Sequence, residues 1–203
     1  MPASKFVSNR SRRKRIRNSN PISEPAFPML DDTDIRFVDT RVYYLRMNHQ
    51  PLFRTDTGYP VRLQELSKPI DVQYYLELYQ GVGLRCNWLD RLVISPNELR
   101  ELINRNEVSI YLIFHEEDPC GFVEFERHCD HLEILYFGLL PEYIGKGIGS
   151  ACLKKAIDTA WSLNPEWIEL NTCDLDSNRA LELYTNVGFE LYTVKTETRR
   201  AFQ

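Results

Sequence analysis

No stretch of this 203-residue sequence approaches the roughly 18 uninterrupted apolar residues of a membrane span, and its first residues hold no apolar run of the secretory-leader kind. The expected compartment is the cytoplasm. Cysteine patterning is equally sparse. Cys86, Cys120, Cys129, Cys152 and Cys173 are odd in number, widely spaced and free of any C-x-x-C pair, which argues against a disulfide framework and against a cysteine zinc site. His49, His115, His128 and His131 lack the H-x-x-x-H and H-E-x-x-H spacings, so no metal is expected. Internal repeats are absent. Glycine is scarce, at 9 residues, and three of the nine fall within five positions of "YIGKGIGSACL", at Gly145, Gly147 and Gly149.

The charge is present but divided. Residues 1–20 contain Lys5, Arg10, Arg12, Arg13, Lys14, Arg15 and Arg17 and no acid, leaving 18 basic against 29 acidic residues in the remainder, a balance of −11. The Ser-, Asn-, Arg- and Pro-rich composition of this start predicts a basic, disordered tail over residues 1–30 and one folded domain over 31–203. A basic tail can neutralise phosphates, but no aromatic interleaving accompanies it and the body is acidic, so nucleic acid is not the expected partner.

Along the body, Thr40–Met47 reads as a strand. Val72, Tyr75, Leu76 and Tyr79 lie at helical spacing after a possible Asp71 cap, with Gly81 as a stop. Ser95, Pro96 and Glu98 form a capping-box pattern for a helix ending near Asn106. Three strands in close order, "VSIYLIFHE", "CGFVEFERH" and "HLEILYFGLL", predict an antiparallel meander. A helix follows the glycine loop and ends at Asn164-Pro165; "EWIELNTCDL" is a strand. A helix started by Asp176 or Ser177 and closed by Gly188 precedes the final strand, "ELYTVKTETRR". The expected fold class is mixed α/β, with a mostly antiparallel central sheet and flanking helices.

The glycine spacing fails two phosphate-binding patterns. G-x-G-x-x-G would need glycine at Ser150, and a Walker loop would need Ser or Thr after Lys146. A flexible turn remains possible. Yet a helix that starts here without a capping side chain leaves its first N–H groups open, and those donors make an anion site at the positive end of the helix dipole.

Two segments resemble the signatures of the GNAT acetyltransferase superfamily. "LLPEYIGKGIGSACL" is similar to its acyl-CoA pyrophosphate loop, and "SNRALELYTNVGFE" to its second signature; both follow predicted strands in the family's order, and the resemblance covers roughly residues 35–200. The wording is nearest a bacterial subgroup of unassigned substrate. The resemblance implies acetyl-CoA as co-substrate and a primary amine, on a small molecule or peptide, as acceptor by direct transfer. It implies cofactor contacts from Leu139, Ile144, Gly145, Lys146, Gly147, Gly149, Ser150 and Asn178. Leu139 would supply a carbonyl-polarising N–H, and Asn178 would anchor the pantetheine arm or simply cap a helix. Ile144 stands where the family usually has Gln or Arg, which would weaken peripheral contacts and spare a cradle built from backbone.

For chemistry, the resemblance points to Glu133 as the carboxylate that deprotonates the amine, with Glu124 and Glu126 as rivals, and to Tyr184 as the acid that protonates the thiolate. Glu133 reads equally as a solvated strand residue, and Tyr184 as a core tyrosine beside Ala180 and Val187. Trp88, and with it Asn171, is a candidate substrate contact, although a lone Trp is as readily core. A non-catalytic CoA-binding module is the alternative function. Oligomeric state, monomer or homodimer, is open.

Overall fold

The computed structural model describes residues 34–52 and 58–203. The expected tail lies outside them. Among the described residues, seven strands and four α-helices follow one another as β1 Ile35–Met47, β2 Val61–Glu65, α1 Val72–Gly83, α2 Pro96–Ile103, β3 Val108–His115, β4 Asp118–Arg127, β5 His131–Leu139, α3 Gly149–Ser162, β6 Trp167–Cys173, α4 Ala180–Asn186 and β7 Glu190–Phe202. All strands join one sheet in the order β2-β3-β4-β5-β6-β1-β7, antiparallel at every step except β5–β6. The mixed, mostly antiparallel α/β class is as the sequence predicts. Among the described residues no helix is long and apolar enough to cross a membrane.

Side-chain alternation sends apolar residues to both faces of the central strands. On one face Leu45, Val123, Phe125, Leu132 and Ile134 meet Cys152, Leu153, Ala156 and Ile157 of α3. On the other, Ile110 and Phe122 meet Tyr75, Leu76 and Tyr79 of α1 and Leu99 and Ile103 of α2. A strand covered by helices on both sides has little room for polar groups, and β4 is buried from Cys120 through Phe125. Glu124 is the exception, and its partners are described below.

The meander β3–β4–β5 follows the short connections read from the sequence. The Ser95 capping box forms, with the Ser95 N–H donating to Glu98 Oε2 and the Glu98 N–H to Ser95 Oγ. Five details differ from the sequence reading. The first strand begins at Ile35, five residues early. β2, a five-residue strand, was not anticipated because its V-R-L-Q-E alternation is too short to stand out. α1 runs through Gly81 to Gly83, since a helical glycine against a packed partner costs only about 1 kcal/mol. α2 stops at Ile103, where the Asn104 side chain donates to the Arg100 carbonyl and accepts from the Ile70 N–H. α4 begins at Ala180 rather than Asp176 or Ser177, because Asp176 is engaged elsewhere.

The sequence reading gave the first strand no place in the sheet; it lies between β6 and β7, pairing Val42–Met47 with β6 and nearly its whole length with β7. The start of the described chain therefore lies beside its end, with Ile35 opposite Phe202.

Candidate active site

The one parallel pair in the sheet builds the site. β5 and β6 pair only from His131↔Trp167 to Ile134↔Leu170, after which the two strands part. A cleft of about 780 Å³ opens between their C-terminal halves. Tyr79, Val82 and Trp88 line one side, Leu135–Leu139 the floor, Tyr184 another side, and the loop from Tyr143 to Ser150 one end.

The α1 wall can approach the floor only because position 138 has no side chain. A Cβ on Gly138 would stand 2.4 Å from Val82 Cγ1. On the other side of β5 the Leu140 N–H donates to the Cys120 carbonyl at 2.8 Å. Successive amides alternate in direction along a strand, so the Leu139 N–H faces the gap.

At the loop end, α3 starts at Gly149 with no side chain capping its first N–H groups. Gly145 and Gly147 both hold φ of +81°, a conformation that L-residues avoid. A Cβ at Gly145 would meet no protein atom within 4 Å, leaving open space in front of the loop, whereas one at Gly147 would stand 2.9 Å from the Tyr59 hydroxyl. Uncapped donors, a helix dipole and an unobstructed main chain together suit an anionic diphosphate, so the residues present fit the phosphate end of a coenzyme A. Ile144 and Ser150 line this end; Ile144 is 59% exposed. Lys146 does not line the cleft, and its ammonium lies over the Tyr143 ring at 4.8 Å. Asn178 is an exposed turn residue outside the cleft lining.

Glu133 lies on β5 just before the strands part, with its side chain 17% exposed. Asn171 Nδ2 donates to its Oε1 at 3.3 Å, and His128 Nε2 stands 3.4 Å from its Oε2. Glu126 of β4 and Glu169 of β6 are its directly opposite neighbours, so three carboxylates form one row across the sheet. Burial, and then the charge of Glu169, push the Glu133 carboxyl above the usual carboxylate range, with His128 opposing. The rivals are committed. Glu126 bonds Arg105 Nη2 at 2.6 Å. Glu124 is fully buried and accepts from Tyr75 Oη at 2.6 Å and Arg91 Nη2 at 2.9 Å. Burial raises the Glu124 carboxyl, but Arg91 and Tyr75 occupy both its oxygens, so no face is left for a substrate.

Tyr184 is half-buried, set edge-to-face on Phe189 with ring centroids 6.3 Å apart, and lines the cleft. Among the described residues none hydrogen-bonds its hydroxyl. Burial, followed by the charges of Asp176 and Cys86, pushes the phenol up, so it stays protonated across the neutral range.

Trp88 is both core and wall. Its ring centroid is 5.0 Å from that of Tyr136 and 5.8 Å from that of Tyr79, and its Nε1–H donates to Asp176 Oδ1 at 3.2 Å. Asp176 was read in the sequence only as a helix start. Its Oδ2 accepts from Thr172 Oγ1 at 2.8 Å and the Cys173 N–H at 3.0 Å, so one carboxylate ties the β6–α4 loop to the α1–α2 loop across the cleft. Asp176→Ala removes all three bonds and leaves donors unmatched in a partly buried place. A loss of about 1–3 kcal/mol is expected, read as a lowered denaturant midpoint with unchanged slope.

Comparison with known proteins agrees with this geometry. A family model described as "Acetyltransferase (GNAT) family" matches residues 73–189. A search of curated proteins found no match. Among solved structures, the chain is similar to a functionally unknown conserved protein from Staphylococcus epidermidis, with 19% identity and a TM-score of 0.56, covering 80% of this chain and 62% of that one. It is similar to a GCN5-related N-acetyltransferase from Sphaerobacter thermophilus, with 13% identity and a TM-score of 0.59, covering 84% of this chain and 53% of that one. It is also similar to the ribosomal-protein-S18-alanine N-acetyltransferase of Escherichia coli, with 16% identity and a TM-score of 0.51, covering 66% and 79%. These likenesses are of fold, and the chain spans less than two thirds of the length of the first two. The family model spans more than half the chain and takes in both the glycine loop and Tyr184: the chain belongs to the GNAT acetyltransferase family.

Proposed function

We propose that the protein transfers an acetyl group from acetyl-CoA to a primary amine by direct attack, with no acyl group parked on the enzyme. The observation that carries the reading is the cleft itself: a glycine-built, uncapped helix start at one end, and along its length the Glu133 carboxylate and the Tyr184 phenol. Acetyl-CoA supplies the activated thioester carbon. The backbone N–H groups of Gly145, Gly147, Gly149 and Ser150 hold its diphosphate, and the Leu139 N–H is aimed where carbonyl charge develops.

An alkyl ammonium with a pKa near 10 is about 99.9% protonated at pH 7, so the nitrogen must lose a proton before it can attack. Glu133 takes it. Burial and the charge of Glu169 raise this carboxyl above its usual range, which makes it a stronger base than an ordinary carboxylate and suits it to the task. Asn171 holds one carboxylate oxygen in place. Tyr184 donates its phenolic proton toward the departing sulfur, and the second proton that the nitrogen gives up on becoming an amide restores the phenol. Tyr79, Trp88 and Tyr136 give the acceptor an aromatic wall.

Thiol release from acetyl-CoA across amino acids, polyamines, aminoglycosides and lysine-containing peptides tests this reading. Release stimulated by at least one amine class is the expected result. Binding of acetyl-CoA with no release from any of them would overturn the reading in favour of a CoA-binding module.

A further inference from the structure

Glu133 has a neighbour that amine deprotonation alone does not require. Its Oε1 is held by Asn171, while its Oε2 is met by His128 Nε2 at 3.4 Å. The two side chains open onto different surfaces. Glu133 lines the cleft; His128 does not, and lines instead a shallow surface depression with Glu107, Arg127, Cys129 and Asp130. With 38% of its side chain exposed, His128 touches bulk water, whereas Glu133 at 17% faces mainly inward.

The imidazole is held in place by ring stacking. The His128 and His131 rings lie 4.4 Å apart and 13° from parallel, and His131 in turn lies 4.2 Å from Trp167 at 18°. His131 Nδ1 is fixed by Asp130 Oδ1 at 2.7 Å. At the backbone, the His128 N–H donates to the His131 carbonyl at 2.9 Å, closing the β4–β5 turn. A surface histidine with no task has no need of a column of two further rings.

We propose that His128 carries the acceptor's proton out of the cleft, from the Glu133 carboxyl to solvent at the β4–β5 turn. The inference rests on the reading of Glu133 as the base. The amine N–H bond breaks, leaving its electron pair on nitrogen, and an O–H bond forms on Glu133. That O–H then breaks as neutral His128 accepts the proton at Nε2, and the resulting imidazolium releases a proton to bulk water. No oxidant or further reactant is needed, and each turnover exports one proton. The groups that set the balance are Glu133, Glu126 and Glu169 along the sheet row, and His131, Asp130, Glu107 and Arg127 around the imidazole. The exposed edge of the His128 ring opens to bulk water, where the relayed proton can leave.

The relay is separable from simple support of Glu133. Acetyl transfer is measured at low buffer concentration, with the best acceptor of the amine panel, for wild type, His128→Ala and His128→Gln. His128→Ala should lower kcat by about 10²-fold, the lower end for one lost acid–base step, with KM for acetyl-CoA unchanged. Added imidazole should restore most of the loss, more strongly as pH rises and its free base accumulates. His128→Gln keeps a hydrogen-bonding group beside Glu133 but cannot relay, so it should be as slow as His128→Ala. Wild-type rates in either variant, or recovery by Gln with no rescue of Ala by imidazole, would overturn the relay and leave Glu133 as base untouched. Failure of the wild type to acetylate any amine would instead overturn the proposed function, and the relay with it.

Discussion

Glu133→Gln should lower turnover by roughly 10² to 10⁴ at neutral pH, the scale of one positioned proton transfer, while the ligand-induced rise in melting temperature with acetyl-CoA stays as in wild type. The substitution keeps shape and removes the basic lone pair. Its sign with pH follows from two ionisations. Wild-type rate should climb as Glu133 loses its proton, and because burial and Glu169 hold that carboxyl above the ordinary range, the acid limb should lie above the usual carboxylate pKa. In Glu133→Gln that limb disappears and only the free-amine dependence remains, so the deficit shrinks as pH rises. Glu169→Gln removes the neighbouring charge and should move the wild-type limb to lower pH. Tyr184→Phe should differ: slower transfer across the whole range, with no new limb, because the raised phenol is protonated throughout. Equal, pH-independent defects in Glu133→Gln and Tyr184→Phe would point to damage of the fold rather than to two roles.

Gly147→Val should abolish stabilisation by acetyl-CoA. A ligand at one hundred times its dissociation constant adds about 2.7 kcal/mol, a shift well within reach of thermal unfolding. The added side chain must tolerate φ of +81° and sits 2.9 Å from the Tyr59 hydroxyl, so the apo protein should also melt lower. The informative readout is therefore the difference between liganded and free protein for each variant. Gly145→Val separates the causes further, since its Cβ meets no protein atom and points into open space. Ile144→Gln, by contrast, should keep or enlarge the shift, because it adds a donor at an exposed position and leaves the backbone cradle alone. A normal acetyl-CoA shift in both glycine variants would show that the loop does not hold the diphosphate.

The elements legible in the sequence were those whose signals are local. A capping box at Ser95, three strands joined by short turns and a glycine after α4 are decided by residues within a few positions of one another, and each stands where the pattern puts it. The placement of the candidate residues was legible too: the glycine loop precedes an uncapped helix, and Glu133 and Tyr184 both line the cleft. Long-range placement was not. Nothing in Ile35–Met47 says that the strand inserts between β6 and β7, because its alternation suits a strand with neighbours on both sides wherever those neighbours come from. The matched family segment, residues 73–189, omits β1, β2 and β7 as well. Asp176 was misread for a related reason. An Asp before a helix is a sound cap by composition, but here Trp88, eighty-eight residues away in the chain, competes for the same carboxylate, and Thr172 and Cys173 complete the set. The ion pairs of Glu124 with Arg91 and of Glu126 with Arg105 join residues far apart in the chain, which no local pattern announces. Lys146 and Asn178 show the limit of motif transfer, since matching a signature did not bring either side chain to the cleft.

The most direct test of the central claim is to follow both products at once: free CoA thiol by colour and the acceptor by mass spectrometry, using acetyl-CoA labelled in its acetyl group. The account predicts one labelled acetyl on the amine nitrogen for each thiol released, and no label retained on the protein when acceptor is withheld. Thiol release with the label lost to water, or a labelled enzyme that forms before acceptor is added, would contradict direct transfer to an amine.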